Sequence, residues 1–221
     1  GSTSVEIALK ISHQYFQNIG RPEKKEILHF SLSYHGDTIG AMSVGGLSHF
    51  NENFKSLFFN SKEFPSPNCS DCPVKKNESD CTTECLATLE EYVSRNSKNI
   101  SSVILEPLIQ AANGMIFYSA KFLKKIRKIC DSNDILLIFD EVFTGFGRTG
   151  EKFAYRYAEA IPDLLAVAKG LSGGTLPIAA TLVSEKVYSA FYSDDLKKAF
   201  LHGHTMTGNP SGCAASLASI E

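Results

Sequence analysis

The stretches ILLIFDEVFTGFGRTG (residues 135–150) and PDLLAVAKGLSGG (residues 162–174) decide the fold of this chain. Each contains an uninterrupted apolar run, ILLIF and LLAVA, of the length and composition typical of a buried parallel strand. Asp140 directly follows the first run, and Lys169 directly follows the second. Open α/β sheets bind their ligands beyond the carboxyl ends of parallel strands. The sequence therefore predicts that a carboxylate and an amine meet at one ligand site.

Strands and helices alternate along the rest of the chain, which predicts the α/β class, with a mostly parallel sheet flanked by helices. The predicted strands are Lys25–Leu32, a short strand near Leu57–Phe59, Ile100–Leu105, Ile135–Phe139, Leu164–Ala168 and Ile178–Val183. The first predicted helix begins at residue 2 and extends to Phe16. The other predicted helices are Thr82–Ser94, Ser119–Asn133, Ser184–Ala190 and Ser211–Ile220. Their apolar residues recur at helical spacing.

The composition is that of an ordinary soluble globular protein, with 43% hydrophobic and 21% charged residues among 221. A formal charge of −2 indicates neither a nucleic-acid partner nor an acidic membrane surface. No apolar segment reaches the length of a membrane span, and the first residues do not read as a signal peptide. We therefore expect a cytoplasmic enzyme with small-molecule partners.

Asp140 and Lys169 suggest a particular cofactor chemistry. Burial lowers the pKa of a lysine and makes it a usable nucleophile, and a buried aspartate needs a cation beside it. Pyridoxal phosphate supplies an aldehyde for the lysine, a pyridinium nitrogen for the aspartate and a phosphate for a helix N-terminus, such as the one at Gly1–Ser2. Tyr34 follows a predicted strand and could cover a planar ligand. Taken singly, Lys169 also suits a surface position, Asp140 a turn, and Tyr34 a loop edge.

A polar segment at about residues 65–85 carries Cys69, Cys72, Cys81 and Cys85. Four thiolates at such short separations could surround a tetrahedral zinc ion, which would make this insertion a structural metal site. The inner spacing is shorter than in most zinc ribbons. The alternative is a surface insertion with reduced cysteines.

Six stretches of the chain resemble the class III, or omega, family of pyridoxal-phosphate-dependent aminotransferases. They are GSTSVEIALK, SYHGDTIGAMSVG, VILEPLIQAANGM, the run from FLKKIRKIC to TGFGRTG, PDLLAVAKGLSGG, and FLHGHTMTGNPSGCAAS. The resemblance implies the large domain of fold type I of the pyridoxal-phosphate-dependent transferases. It implies that residues 1–221 are the central part of that domain, with the N-terminal segment and the C-terminal small domain outside the chain.

The resemblance also implies the roles of individual residues. Lys169 would bond to the cofactor aldehyde, move the catalytic proton and face the substrate together with Gly203. Tyr34, the second catalytic residue, would cover one face of the cofactor ring, and Val142 the other. The implied cofactor-binding set is Gly1, Ser2, Tyr34, His35, Glu106, Asp140, Val142, Lys169 and Thr205. Thr205 would reach the cofactor phosphate of a neighbouring subunit, which implies a homodimer with shared active sites.

Within the family, the resemblance is strongest to the branch that converts 8-amino-7-oxononanoate to 7,8-diaminononanoate in biotin biosynthesis. The amino donor stays open between S-adenosylmethionine and lysine. Phe143 stands where many relatives carry a glutamine that meets the cofactor phenol oxygen, a departure that argues against ornithine or 4-aminobutyrate as substrates. The alternatives are another omega-amino-acid or diamine transaminase, and a non-catalytic folded core with a structural four-cysteine metal site.

Overall fold

The computed structural model describes residues 1–46, 48–77 and 80–221. In this part of the chain, six strands form a sheet in the order β2-β1-β3-β6-β7-β8. β8 runs antiparallel to β7, and the other neighbours are parallel. The strands are β1 (Glu26–Phe30), β2 (Lys62–Phe64), β3 (Ile100–Leu105), β6 (Leu136–Asp140), β7 (Leu164–Val167) and β8 (Ala180–Val183). The prediction of a mostly parallel sheet is confirmed.

The α-helices are α1 (Ser2–Asn18), α2 (Ile39–Ser43), α3 (Ser48–Asn51), α4 (Ala87–Asn96), α5 (Ala120–Ser132), α6 (Glu185–Ser189) and α7 (Pro210–Ile220). Short 3₁₀ helices cover Glu52–Leu57, Glu84–Leu86, Ala154–Ala158, Lys169–Ser172 and Leu196–Lys198. Among the residues described, no helix is both long and apolar enough to cross a membrane.

The sheet is covered on both faces because successive side chains of a strand point in opposite directions. In β6, Leu137 and Phe139 join the cluster that contains Phe122 of α5. Leu136 and Ile138 join the cluster that contains α1. A strand covered on both faces needs apolar residues at consecutive positions, which explains the continuous runs in the sequence.

Two local predictions were wrong, and one small sheet was missed. The short strand lies at Lys62–Phe64, where the chain runs parallel to β1, whereas Leu57 ends a 3₁₀ helix and is exposed. The helix predicted from Thr82 begins at Ala87, because Thr83 has a left-handed φ of 70° that a continuous helix does not accept. A small antiparallel pair, β4 (Ile109–Gln110) and β5 (Ile116–Phe117), was not predicted, because two-residue strands leave no periodic pattern.

Candidate active site

A cavity of about 1320 Å³ opens at the carboxyl ends of the parallel strands. Eight of the predicted site residues line it: Gly1, Ser2, Tyr34, His35, Glu106, Asp140, Val142 and Lys169. They come from α1 and from the segments that follow β1, β3, β6 and β7. The structure thus brings together residues that are up to 168 positions apart, at the edge of the sheet where the strand pattern predicted a ligand site.

Asp140 is the last residue of β6, and its side chain is buried. One carboxylate oxygen accepts a hydrogen bond from the backbone N–H of Val142 at 3.0 Å. The other lies 2.8 Å from Nδ1 of His35, which is buried as well. A carboxylate accepts, so Nδ1 carries the proton. Nε2 of the same ring has no hydrogen-bond partner among the described residues. The pair fixes the direction of the Asp140 carboxylate at the cavity wall.

Glu106 follows β3, and it is buried in the same wall of the cavity. Its two carboxyl oxygens accept hydrogen bonds from the backbone N–H groups of Tyr34, at 3.0 Å, and Ala111, at 3.2 Å. The pKa of Glu106 is raised to about 7, chiefly by burial; His35 lowers it and the Asp140 carboxylate raises it, both to a smaller extent. Glu106 therefore ties the backbone of the Tyr34 segment to the segment after β3.

Tyr34 is half-buried, and its hydroxyl donates a hydrogen bond to the Asp37 carboxylate at 2.9 Å. Burial and this hydrogen bond raise the pKa of Tyr34 to about 12, so the phenol stays protonated at neutral pH. With the hydroxyl engaged at its tip, the ring is held at the cavity wall.

The N-terminal turn of α1 forms another side of the cavity, with Gly1, Ser2 and Thr3. The first N–H groups of a helix have no partner within it and form a site for an anion. Ser2 Oγ accepts a hydrogen bond from the Asp37 N–H at 3.2 Å. Gly36 packs so closely here that a Cβ on it would lie 2.0 Å from that oxygen. The close approach of these two segments fixes the position of the helix N-terminus.

Lys169 follows β7 and begins a 3₁₀ helix with a left-handed φ of 36°. This conformation is strained for a residue with a side chain, and strain of this kind is common at functional sites. The expected burial of Lys169 was wrong: its side chain is exposed in the open cleft. The ring of Phe143 lies 5.7 Å from its ammonium nitrogen, measured to the ring centroid.

Gly203 and Thr205 do not line the cavity, in contrast to the other predicted site residues. Both are exposed, in a loop that the first helix holds: Gln14 donates to the Ala199 carbonyl at 3.0 Å, and the Lys10 ammonium lies 3.0 Å from Nδ1 of His202. Other residues of the loop face the cavity, and they were not predicted: His202, His204, Met206 and Thr207. The alternation of inward and outward residues in a loop has no sequence period that could have identified them.

The sequence profile described as Aminotransferase class-III matches residues 1–221 of this chain. The chain belongs to this family.

Class III aminotransferases of known name and structure are similar to it over its whole length. The adenosylmethionine-8-amino-7-oxononanoate aminotransferase of Geobacter sulfurreducens is 44% identical over 223 residues, which are 100% of this chain and 49% of the relative. The crystal structure of the enzyme of the same name from Methanocaldococcus jannaschii superposes with a TM-score of 0.88 at 37% identity, over 100% of this chain and 48% of that one.

An amine transaminase from an uncultivated Pseudomonas species, solved in the PLP-bound (internal aldimine) form, superposes with a TM-score of 0.90 at 35% identity. The match covers 100% of this chain and 50% of that one. This chain therefore spans about half the length of the class III aminotransferases it matches.

Glu141 supports the cavity wall from the interior, and it was not predicted from the sequence. It is fully buried directly after Asp140, and it accepts hydrogen bonds from the N–H groups of Ala154, at 2.8 Å, and Tyr155, at 2.9 Å, and from the hydroxyl of Thr144, at 3.1 Å. Burial raises the pKa of Glu141. These hydrogen bonds hold the loop that carries Val142 and Phe143 in place. A second carboxylate at the end of a buried strand was the signal for it.

The described residues do not support the zinc site predicted for Cys69, Cys72, Cys81 and Cys85. Outside residues 47, 78 and 79, no group of three or more His, Cys, Asp or Glu side chains is placed to hold a metal ion. Burial raises the pKa of the Cys85 thiol to about 11. Short spacing in the sequence did not bring the four sulfur atoms into a ligand sphere.

Proposed function

We propose that this chain binds pyridoxal phosphate and acts in transamination. The observation that carries the proposal is the convergence of Asp140, Lys169, Tyr34 and the N-terminus of α1 on one cavity. When bound, the cofactor would supply an aldehyde and a ring that accepts electrons from the substrate. The residues present fit such a group, because it has an anionic phosphate, a pyridine nitrogen that needs a carboxylate, and a planar ring.

Each part of the cavity would have a separate task. The free N–H groups at the start of α1 would bind the phosphate. Asp140, oriented by His35 at 2.8 Å, would hold the pyridine nitrogen in its protonated form. Tyr34 would cover one ring face and Val142 the other. Lys169 would bond to the aldehyde and carry a proton to and from the carbon that the amino group enters or leaves.

The relatives' names support 8-amino-7-oxononanoate as the amino acceptor, and thus a role in biotin biosynthesis. They also support S-adenosylmethionine as the donor, with lysine as the alternative. Structures named as amine and omega-transaminases superpose about as well, with TM-scores of 0.90 and 0.91. A broader omega-amino-acid or diamine substrate range is therefore the second candidate. A biosynthetic role is our reason to propose a cytoplasmic location.

We also propose that the protein acts as a homodimer. Thr205 and Gly203 are exposed outside the cavity of their own chain, as expected if their loop serves a site shared with a second copy. Large apolar side chains are exposed around this loop: Tyr192, Leu196, Leu201, Met206 and Leu217. Surface of this kind is typical of an interface. Sedimentation equilibrium should give twice the mass of the chain, and a monomer at micromolar concentration would contradict the proposal.

The test of cofactor binding is a titration of the chain with pyridoxal phosphate, followed by the absorbance change that accompanies covalent attachment to lysine. The change should appear with the unaltered chain and disappear with Lys169→Ala. Lys98→Ala is the matched control, because Lys98 is exposed before β3, at the opposite end of the sheet. An unchanged signal in Lys169→Ala would refute the assignment of Lys169. Offering 8-amino-7-oxononanoate and pyruvate as competing acceptors tests the substrate, and preference for pyruvate would favour the second candidate.

A further inference from the structure

Phe143 lies in the loop after β6, where it is half-buried and lines the cavity. The loop is held in place by the hydrogen bonds that Glu141 accepts from Thr144, Ala154 and Tyr155. Phe143 is thus an aromatic side chain on a supported loop, at a position where the family resemblance led us to expect glutamine in many relatives.

Two cations lie near its ring. The ammonium nitrogen of Lys169 is 5.7 Å from the ring centroid, and the guanidinium carbon of Arg148 is 5.0 Å from it. Both distances are within the range of about 6 Å in which a cation is attracted to an aromatic face. In the described part of the chain, the ring of Phe143 is the contact that the structure gives the Lys169 ammonium.

We propose that Phe143 is a positioning residue that holds the ammonium of Lys169 in the cleft while this amine is not bonded to the cofactor. The inference rests on the proposed function, in which Lys169 alternates between a covalent bond and a free amine. The exposed lysine side chain is long and flexible, so without a partner it would explore the open cleft and the solvent. The aromatic ring provides a defined resting position inside the cavity. A glutamine would offer an amide in place of an aromatic face.

The test measures how fast Lys169 is modified by an amine-reactive ester in the cofactor-free chain, by mass spectrometry of its peptide. The ammonium must leave the ring and lose its proton to solvent before the neutral amine can attack the ester. Phe143→Leu should therefore accelerate modification of Lys169 about two- to fivefold, the factor expected from an exposed cation–π contact. Phe143→Tyr keeps the aromatic face and should retain the slow rate. Lys98 serves as the internal reference, and its rate should not change.

Phe143→Met is a second non-aromatic replacement, which carries the test if Phe143→Leu does not fold. If Lys169 is modified at the same rate in the unaltered chain, in Phe143→Leu and in Phe143→Tyr, the proposal is overturned. Equal acceleration by leucine and tyrosine would overturn it too, because the contact would then be one of packing alone. The assay contains no cofactor, so a failure of the contact between Phe143 and Lys169 is distinguishable from a failure of cofactor binding, which the titration measures separately.

Discussion

Replacement of Gly36 by alanine is the sharpest test of how the cavity is assembled. Gly36 has a φ of 122°, a conformation that residues with a side chain rarely adopt. A Cβ at this position would lie 2.0 Å from Oγ, 2.6 Å from Cβ and 2.9 Å from Cα of Ser2. Rotation of the serine side chain can move the first of these atoms but not the last, so α1 itself must shift.

Gly20→Ala is the matched control, because Gly20 has a φ of 78° and nothing lies within 4 Å of its added Cβ. We expect Gly20→Ala to lower the free energy of unfolding by about 1–2 kcal/mol, which is the cost of a left-handed backbone conformation for a residue with a side chain. In a chain of this size, that lowers the melting temperature by about 2–8 °C. Gly36→Ala adds the displacement of α1 to this backbone strain. We therefore expect the free energy of unfolding to fall by about 3 kcal/mol or more, and the melting temperature by at least about 6 °C.

Two measurements on each variant separate the effects: thermal unfolding by circular dichroism, and titration with pyridoxal phosphate. Gly36→Ala should lose cofactor affinity because the displaced segment is the N-terminal turn of α1, whereas Gly20→Ala should bind as the unaltered chain does. If Gly36→Ala melts at the temperature of Gly20→Ala and binds the cofactor equally well, the close contact with Ser2 does not shape the site, and this reasoning is refuted.

Two further predictions concern pH, and both are measured by urea unfolding between pH 4 and 7. Burial raises the pKa of Glu106 from 4.5 to about 7, so the native state keeps a proton that the unfolded chain releases. The stability of the unaltered chain relative to Glu106→Gln should therefore fall by up to about 3 kcal/mol as the pH rises from 4.5 to 7. Burial lowers the pKa of His29 from 6.5 to about 4, so the native state resists a proton that the unfolded chain takes up. Relative to His29→Gln, stability should fall by up to about 3 kcal/mol as the pH drops from 6.5 to 4. If the difference in unfolding free energy between the unaltered chain and either variant does not change with pH, the pKa shift assigned to that residue is contradicted.

Most of the sheet could be predicted from the sequence because its central strands are buried on both faces. Burial on both faces requires consecutive apolar residues, and the runs that end at Leu105, Phe139 and Ala168 show this directly. The edge of the sheet was less predictable. The segment that forms β2 is three residues long and mostly exposed, and only its pairing with β1 places it. The sequence also contains no sign that β8 runs antiparallel, since a strand's direction depends on the path of the chain before it.

The positions of Asp140 and Lys169 at one edge of the sheet were determined by the sequence alone, because each directly follows a buried apolar run and parallel strands end at the same edge. The tertiary structure decided how these residues are held. His35 meets Asp140 across 105 positions, and Glu106 meets Tyr34 across 72. The exposure of Lys169, its neighbour Phe143 and the outward direction of Thr205 were likewise decided there. Local patterns report which face of a strand or helix is buried, but contacts between loops depend on the register of distant strands, which no local pattern encodes.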